Sequence, residues 1–84
     1  MDYYLYILQS ETTGQLYIGQ TNNLDDRIVR HNSNRNRFTK GKGPWKILFS
    51  KSFETRAEAV QIELTLKKWK NRQRIFEWVA KQPG

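Results

Sequence analysis

The sequence predicts an α+β fold in which helices flank a three-stranded, mainly antiparallel sheet, with elements in the order β-β-α-β-α-α. Two short runs rich in aromatic and β-branched residues, separated by turn residues, are typical of a hairpin. Three other segments place apolar residues at helical spacing, and one further alternating run lies between them. A sheet with helices packed against it accommodates this order.

The first two strands form the predicted hairpin. The run from Tyr3 to Leu8 is the first strand, and Leu16 to Ile18 repeats its signal before Gly19 ends it. Residues 10–14, Ser-Glu-Thr-Thr-Gly, are typical of a turn. We therefore expect these strands to be neighbours, whereas the pattern leaves open where the third strand pairs.

The middle of the chain contains a helix, a loop and a strand. Asn22 or Asn23 can cap the helix, which continues to about Asn32 with two aspartates in its first turn. Residues 33–44 lack periodicity, and a basic loop of that length in so small a domain indicates a function. Trp45–Phe53 alternates as a strand does. The apolar residues expected on one face of that strand are Trp45, Ile47 and Phe49.

Two helices end the predicted order. Thr55 to Glu58 matches a capping box, which places a helix start there. The apolar positions of this longer helix follow at spacings of three and four, as an amphipathic helix requires. They are Ala59, Ile62, Leu66 and Trp69. A shorter helix is predicted from about Arg72 to Ala80.

Length and composition exclude several protein classes. We expect one domain over residues 1–84, because a chain of 84 residues is too short for two. It has no apolar run long enough for a membrane span and no charged segment preceding an apolar stretch as in a signal peptide. The absence of cysteine excludes disulfides and thiolate metal sites. We expect a cytoplasmic protein with no membrane partner.

The basic residues are grouped. Lysine and arginine number 15 against 8 acids, a net charge of +7. Thirteen of the 15 lie in two acid-free blocks, one between Asp26 and Glu54 and one between Glu63 and Glu77. Such blocks predict contact with nucleic acid, although a solvated surface that keeps the protein in solution is the alternative. The candidate binding residues are Arg30, Arg35, Arg37, Lys40, Lys42, Lys67, Lys68, Lys70 and Arg72.

Glu63 is the most informative single residue. It lies four residues after Ala59 and three before Leu66, hence on the packed face of the longer helix or at its edge. A buried carboxylate needs a cation or hydrogen-bond donors. Two interpretations stay open: an ion pair with a lysine or arginine, and a ligand for a hard metal such as Mg²⁺, which one carboxylate can hold together with phosphate oxygens and waters.

Four other side chains could take part in chemistry. Tyr6 and Tyr17 lie on the two hairpin strands and can sit nearly opposite each other on one face, where two phenols could position or deprotonate a water. Arg27 and His31 are four residues apart, hence on one helix face, and an arginine fork suits a phosphate. The alternatives are ordinary strand aromatics, a surface arginine, and a capping or partly packed histidine.

Together these features resemble the GIY-YIG endonuclease superfamily over about residues 3–80. Tyr4-Leu5-Tyr6 looks like the first half-motif with its glycine replaced by Tyr4, and Tyr17-Ile18-Gly19 matches the second in full, eleven residues later. Gln20 departs from the lysine that several members have there. The further matching segments are Gly19 to Arg27, His31-Asn32, Pro44-Trp45-Lys46, and Glu63 with Leu66 to Trp69. They are similar to the small stand-alone proteins of this superfamily and to the nuclease domains of the excision-repair incision subunit and of intron-homing enzymes.

The resemblance implies a metal-dependent endonuclease that hydrolyses phosphodiester bonds in DNA with limited sequence specificity. Tyr17 would be the general base or water-orienting group, assisted by Tyr6, and His31 would help Tyr17 lose its proton. Arg27 would bind the scissile phosphate. Glu63 would hold one divalent metal, Mg²⁺ or Mn²⁺, which offsets charge at the phosphate. The resemblance also implies a role in DNA repair.

Two other functions remain open. The chain could be a catalytically silent nucleic-acid-binding module of the same fold, which Gln20 and the lack of a separate DNA-binding domain favour. It could also be an adaptor that uses its basic surface to bind a protein. If it is a nuclease, target choice would come from the two basic blocks or from a protein partner.

Overall fold

The computed structural model describes residues 2–33 and 39–82. Its elements follow the predicted β-β-α-β-α-α order, and the α+β prediction is confirmed. They are β1 (Tyr3–Ser10), β2 (Leu16–Thr21), α1 (Leu24–Asn32), β3 (Trp45–Phe53), α2 (Arg56–Trp69) and α3 (Arg72–Ala80). Two candidate nucleic-acid-binding residues, Arg35 and Arg37, lie outside the described residues.

The sheet has the strand order β2-β1-β3, and both pairings are antiparallel. β1 is therefore the central strand, and β3 pairs with it from the side opposite β2. The central position explains why four consecutive β1 residues, Leu5, Tyr6, Ile7 and Leu8, are almost fully buried. β2 forms one edge of the sheet.

The two faces of the sheet carry different helices. Leu5 and Ile7 point to the face covered by α2 and α3, where they pack with Leu66 and Ile75. Tyr6 and Leu8 point to the opposite face, where Ile28 of α1 packs. Alternation along β1 thus separates a larger apolar core from a smaller one that contains tyrosines.

One expectation for β3 is wrong. Trp45 packs on the α1 face, but Phe49 packs on the α2–α3 face and contacts Trp78 edge-on, with ring centroids 5.3 Å apart. The cause is a register irregularity: Ile7 pairs with Phe49, whereas Leu8 pairs with Ile47. The extra residue reverses the alternation, as a β-bulge does.

β2 is longer than predicted, because it continues past Gly19 to Thr21. It ends where the Thr21 hydroxyl accepts a hydrogen bond from the Asn23 backbone at 3.0 Å. The Asn23 side chain in turn accepts from the backbone N–H of Asp26 and caps α1. Thr55 caps α2 in the same way, as predicted, and Asn71 caps α3.

Hydrogen bonds hold residues 39–44, the described end of the basic loop, against the sheet. The Trp45 indole donates to the Thr39 carbonyl at 3.1 Å, and the Asn32 side chain bonds both backbone groups of Trp45. The hydroxyls of Ser10 and Thr12 donate to the Lys42 carbonyl. Among the helices of the described ranges, none is long and apolar enough to cross a bilayer.

Candidate active site

Tyr6 and Tyr17 share the α1 face of the sheet. In the antiparallel register Tyr17 lies opposite Leu8, and Tyr6 lies opposite Gly19, so the tyrosines are diagonal neighbours. Their ring centroids are 6.3 Å apart with an interplanar angle of 29°. The prediction that they sit nearly opposite each other on one face is confirmed.

The absence of a side chain at Gly19 leaves room for the Tyr6 phenol. A Cβ atom at this position would lie 2.6 Å from the Tyr6 hydroxyl oxygen and 2.7 Å from the ring carbon that bears it. Both distances are far below van der Waals contact. Glycine is therefore required because the phenol lies directly over the β2 backbone.

His31 is buried between the two tyrosines and the loop, with only 1% of its surface exposed. Its Nε2 lies 3.2 Å from the Tyr6 hydroxyl, and its Nδ1 lies 2.9 Å from the Thr39 hydroxyl. Its ring centroid is 4.6 Å from that of Tyr17. Hydrogen bonds at both nitrogens make His31 more than a capping or partly packed side chain.

Thr39 is a residue that sequence reasoning missed. It is fully buried, its carbonyl accepts the Trp45 indole, and its hydroxyl holds Nδ1 of His31. A threonine in a basic loop without periodicity gives no signal by itself. Only the fold brings it to a histidine eight residues earlier, forming a chain of hydrogen bonds through Tyr6, His31 and Thr39.

The protonation states of this chain follow from burial. Burial, and secondarily the charge of Arg27, lowers the pKa of His31 below its ordinary value of 6.5, so the ring is neutral near pH 7. Burial, with the nearby Tyr17 and Glu63, raises the pKa of Tyr6, and Arg27 only partly opposes this. Tyr6 therefore remains a protonated phenol and is suited to donating a hydrogen bond rather than to accepting a proton.

Arg27 and Glu63 approach the tyrosines from different elements. Arg27 is a half-buried residue of α1, and its charge acts on both Tyr6 and His31. Glu63 lies on α2, yet its charge also acts on Tyr6. The structure thus brings Arg27 within electrostatic reach of Tyr6 and His31, and Glu63 within reach of Tyr6.

Glu63 is held by a neighbour on its own helix. Its Oε2 accepts a hydrogen bond from Lys67 Nζ at 2.6 Å, and its side chain is 16% exposed. The ion-pair interpretation is therefore confirmed for this structure. Within the described ranges no three or more His, Cys, Asp or Glu side chains are grouped to hold a metal. A lone, partly buried carboxylate nevertheless fits a Mg²⁺ ion that takes its other oxygens from waters and phosphate.

The candidate basic residues are distributed unevenly around Tyr17. Lys42 and Lys67 line a cleft of about 290 Å³ together with Tyr17 and Trp45. Arg30 is exposed and forms an ion pair with Asp26 at 3.0 Å. The positions of the others differ: Lys40 is exposed on the loop, Lys68 lines a hollow beside Trp69, and Lys70 and Arg72 line a groove next to the cleft.

Known proteins share this sequence and fold. A UPF0213 protein of Oceanobacillus iheyensis is 38% identical over 66 residues, covering 77% of this chain and 76% of its own length. A UPF0213 protein of Bacillus licheniformis is 36% identical over 78 residues, covering 89% and 79%. The solution NMR structure of a UPF0213 protein from Bacillus halodurans superposes with a TM-score of 0.63 at 30% identity, covering 100% of this chain and 88% of that one.

The model of one protein family also matches nearly the whole chain. The matching region, residues 2–75, extends from the start of β1 into α3 and contains the five candidate catalytic residues. The family is described as the GIY-YIG catalytic domain. The chain belongs to the GIY-YIG family, a nuclease family, and is similar to its small UPF0213 members.

Proposed function

We propose that this chain is an Mg²⁺- or Mn²⁺-dependent endonuclease that hydrolyses phosphodiester bonds in DNA with limited intrinsic sequence specificity. The observation that supports this most is the Tyr6–His31 hydrogen bond beside Tyr17, with Arg27 and Glu63 in electrostatic reach. A phosphate entering the cleft would meet the Tyr17 phenol and the two lysines that line it, Lys42 and Lys67.

Each side chain has a proposed role. Tyr17, which lines the open cleft, orients or deprotonates the attacking water. Tyr6 stays protonated and donates a hydrogen bond. Arg27 binds the scissile phosphate and offsets the charge that develops on it. Glu63 holds the divalent ion, which when bound supplies Lewis-acid stabilisation of that charge.

His31 acts through Tyr6 in this proposal. Both of its ring nitrogens are already engaged, one by the Tyr6 hydroxyl and one by the Thr39 hydroxyl. His31 therefore acts on Tyr6 through a hydrogen bond, whereas it meets Tyr17 by ring packing. Positioning of Tyr6 is the role that the geometry supports best.

The catalytically silent DNA-binding module is the second candidate. The contact that favours it is the Glu63–Lys67 pair, because the ammonium group already occupies one of the two carboxylate oxygens that could ligate a metal. In addition, Gln20 accepts a hydrogen bond from Arg56 at 2.9 Å. This bond directs the Gln20 side chain toward α2. Gln20 stands at the motif position where several family members have a lysine.

Cleavage assays on nicked, branched and linear DNA, with and without Mg²⁺ or Mn²⁺, test the proposal. We expect metal-dependent cleavage that Glu63→Gln, Arg27→Ala and Tyr17→Phe each reduce at least about 100-fold. Glu77→Gln and Tyr3→Phe, which remove the same groups elsewhere, should leave the rate unchanged. Cleavage that survives Glu63→Gln would refute the assigned roles. DNA binding with no cleavage, whichever metal is added, would support the silent module.

Biological context is proposed on the same basis. We place the protein in the cytoplasm, acting on chromosomal DNA in repair, with target choice supplied by the basic surface or by a protein partner. Copurification of tagged protein from cells, with and without nuclease treatment of the lysate, separates a direct protein partner from bridging through DNA. A partner lost on nuclease treatment would contradict partner-directed targeting.

A further inference from the structure

A second groove continues from the cleft along the edge strand β2. It has a volume of about 490 Å³ and lies between β2 and the turn that joins α2 to α3. The groove and the Tyr17 cleft have Gln15, Leu16 and Lys67 in common. A ligand could therefore extend from the cleft into the groove without leaving the surface.

The groove combines an apolar floor with a cationic rim. Leu16, Ile18, Leu66 and Ile75 line it together with three cations. No aspartate or glutamate is among its described lining residues. The three cations are Lys67, Lys70 and Arg72. Its chemistry therefore complements a ligand that is anionic on one side and apolar on the other.

The backbone conformation of Lys70 favours a binding role for the rim side chains. It ends α2 in the left-handed conformation, with φ 50° and ψ 30°. That conformation is unfavourable for a residue with a side chain, and glycine is the residue usually found there. A lysine at this turn sacrifices stability while presenting a charge to the groove.

Duplex DNA and unpaired DNA would use this groove differently. A duplex stacks its bases inside and presents its phosphates outside, so it would contact the rim and leave the floor empty. An unpaired strand presents both phosphates and bases. Grooves that bind single strands combine cations for the phosphates with aromatic side chains for the bases, and here aliphatic side chains take the place of the aromatic ones. The apolar floor next to the rim therefore favours an unpaired nucleotide.

We propose that this groove binds an unpaired nucleotide of the DNA strand that continues past the scissile phosphate. The substrate class would then be DNA with a single-stranded segment at the cleavage position. The strand would pass over Lys67, which faces both the groove and the cleft. This inference rests on the proposed nuclease function, because the cleft has to hold the scissile phosphate.

Binding measurements without metal test the inference independently of cleavage. We compare, by fluorescence anisotropy, a blunt duplex, the same duplex with a short single-stranded tail, and a tailed duplex whose tail nucleotides are abasic. The tailed duplex should bind about tenfold more tightly than the blunt one, the lower end of the gain that one base stacked on an aromatic side chain gives. The abasic tail should lose most of that gain, because it retains the phosphates and lacks the bases.

Variants assign the effect to the groove. Lys70→Gln should weaken binding of the tailed duplex about threefold or more and weaken binding of the blunt duplex less, because the tail follows the rim over more of its length. Lys81→Gln removes the same charge at the exposed end of α3 and is the matched control. Lys70→Gly guards against misfolding, because glycine suits the left-handed turn, and it should weaken binding as much as Lys70→Gln does.

Three outcomes would overturn the inference. Equal affinity for blunt and tailed duplexes would show that no unpaired segment is recognised, and an abasic tail as good as a normal one would show that the floor holds no base. If blunt DNA is cut as fast as tailed DNA in a Tyr17-dependent reaction, the nuclease function stands and the groove proposal fails. If tails are bound selectively but no DNA is cut, the nuclease function fails instead.

Discussion

Gly19 and Tyr6 illustrate how one residue determines the place of another. The phenol occupies the space that any side chain at position 19 would need. We predict that Gly19→Ala lowers the free energy of unfolding by about 1–3 kcal/mol, the usual cost of overpacking, and displaces Tyr6 from His31. Urea denaturation measures the loss. Gly43→Ala is the control, because a Cβ there meets its nearest neighbour at 3.5 Å, and equal losses would contradict the steric argument.

His31 gives the fold a pH dependence. Burial lowers its pKa below the 6.5 of an exposed histidine, so the unfolded state binds a proton at a higher pH than the folded state does. The free energy of unfolding should be undiminished above about pH 7 and fall as the pH drops through 6.5 toward the lower folded value. Thermal unfolding between about pH 8 and 5.5 measures this, above the range where carboxylates titrate.

The control for that measurement is His31→Gln. His31 is the single histidine of the chain, so the variant should unfold at a lower temperature at pH 8 and show little change between pH 8 and 5.5. A slope that survives in the variant would assign the pH dependence to another group.

Thr39 should fix the tautomer of His31. Thr39→Val removes the hydroxyl at nearly constant shape and leaves a buried ring nitrogen without its partner, at a cost of about 1–3 kcal/mol. Nitrogen NMR of the labelled histidine should show a changed tautomer population in Thr39→Val and the original one in Thr39→Ser. An unchanged tautomer in the valine variant would mean that Tyr6 alone orients the ring.

At the scale of elements, the helix starts are the best specified features. Thr55 accepts from the Glu58 backbone at 3.3 Å and its hydroxyl donates to the Glu58 carboxylate at 2.9 Å. We predict that Thr55→Ala destabilises the protein by about 1 kcal/mol, because a backbone N–H loses its acceptor. Thr55→Ser should retain most of the stability in the same denaturation assay, and a loss as large as that of alanine would contradict capping.

At the scale of the whole molecule, the net charge of +7 should make DNA binding salt-dependent. Three phosphate contacts from Lys67, Lys70 and Arg72 predict that log K falls with log salt concentration at a slope of about −2 on a single-stranded probe. Anisotropy titrations in increasing potassium chloride measure it. Lys70→Gln should reduce the slope by about 0.7 and Lys81→Gln should not; affinity independent of salt would favour the protein-binding adaptor.

The order of elements, the cap at Thr55 and the placement of Tyr6 and Tyr17 on one face of the sheet were predicted from sequence alone. Each depends on neighbours a few residues apart or on a two-strand hairpin, where local geometry decides. The β-bulge lay beyond such reasoning. One extra residue in β3 moves Phe49 to the other face, and only pairing with β1 reveals it.

Tertiary structure decided the composition of the site. The charge pattern and periodicity singled out Glu63, and its pairing with Lys67 follows from their i, i+4 spacing on α2, whereas packing of α2 on the sheet determined that Glu63 also acts on Tyr6. Thr39 and the groove beside β2 depend on contacts between segments far apart in the chain. Such contacts are set by which faces the sheet presents to each helix, and periodicity within a single element carries no information about them.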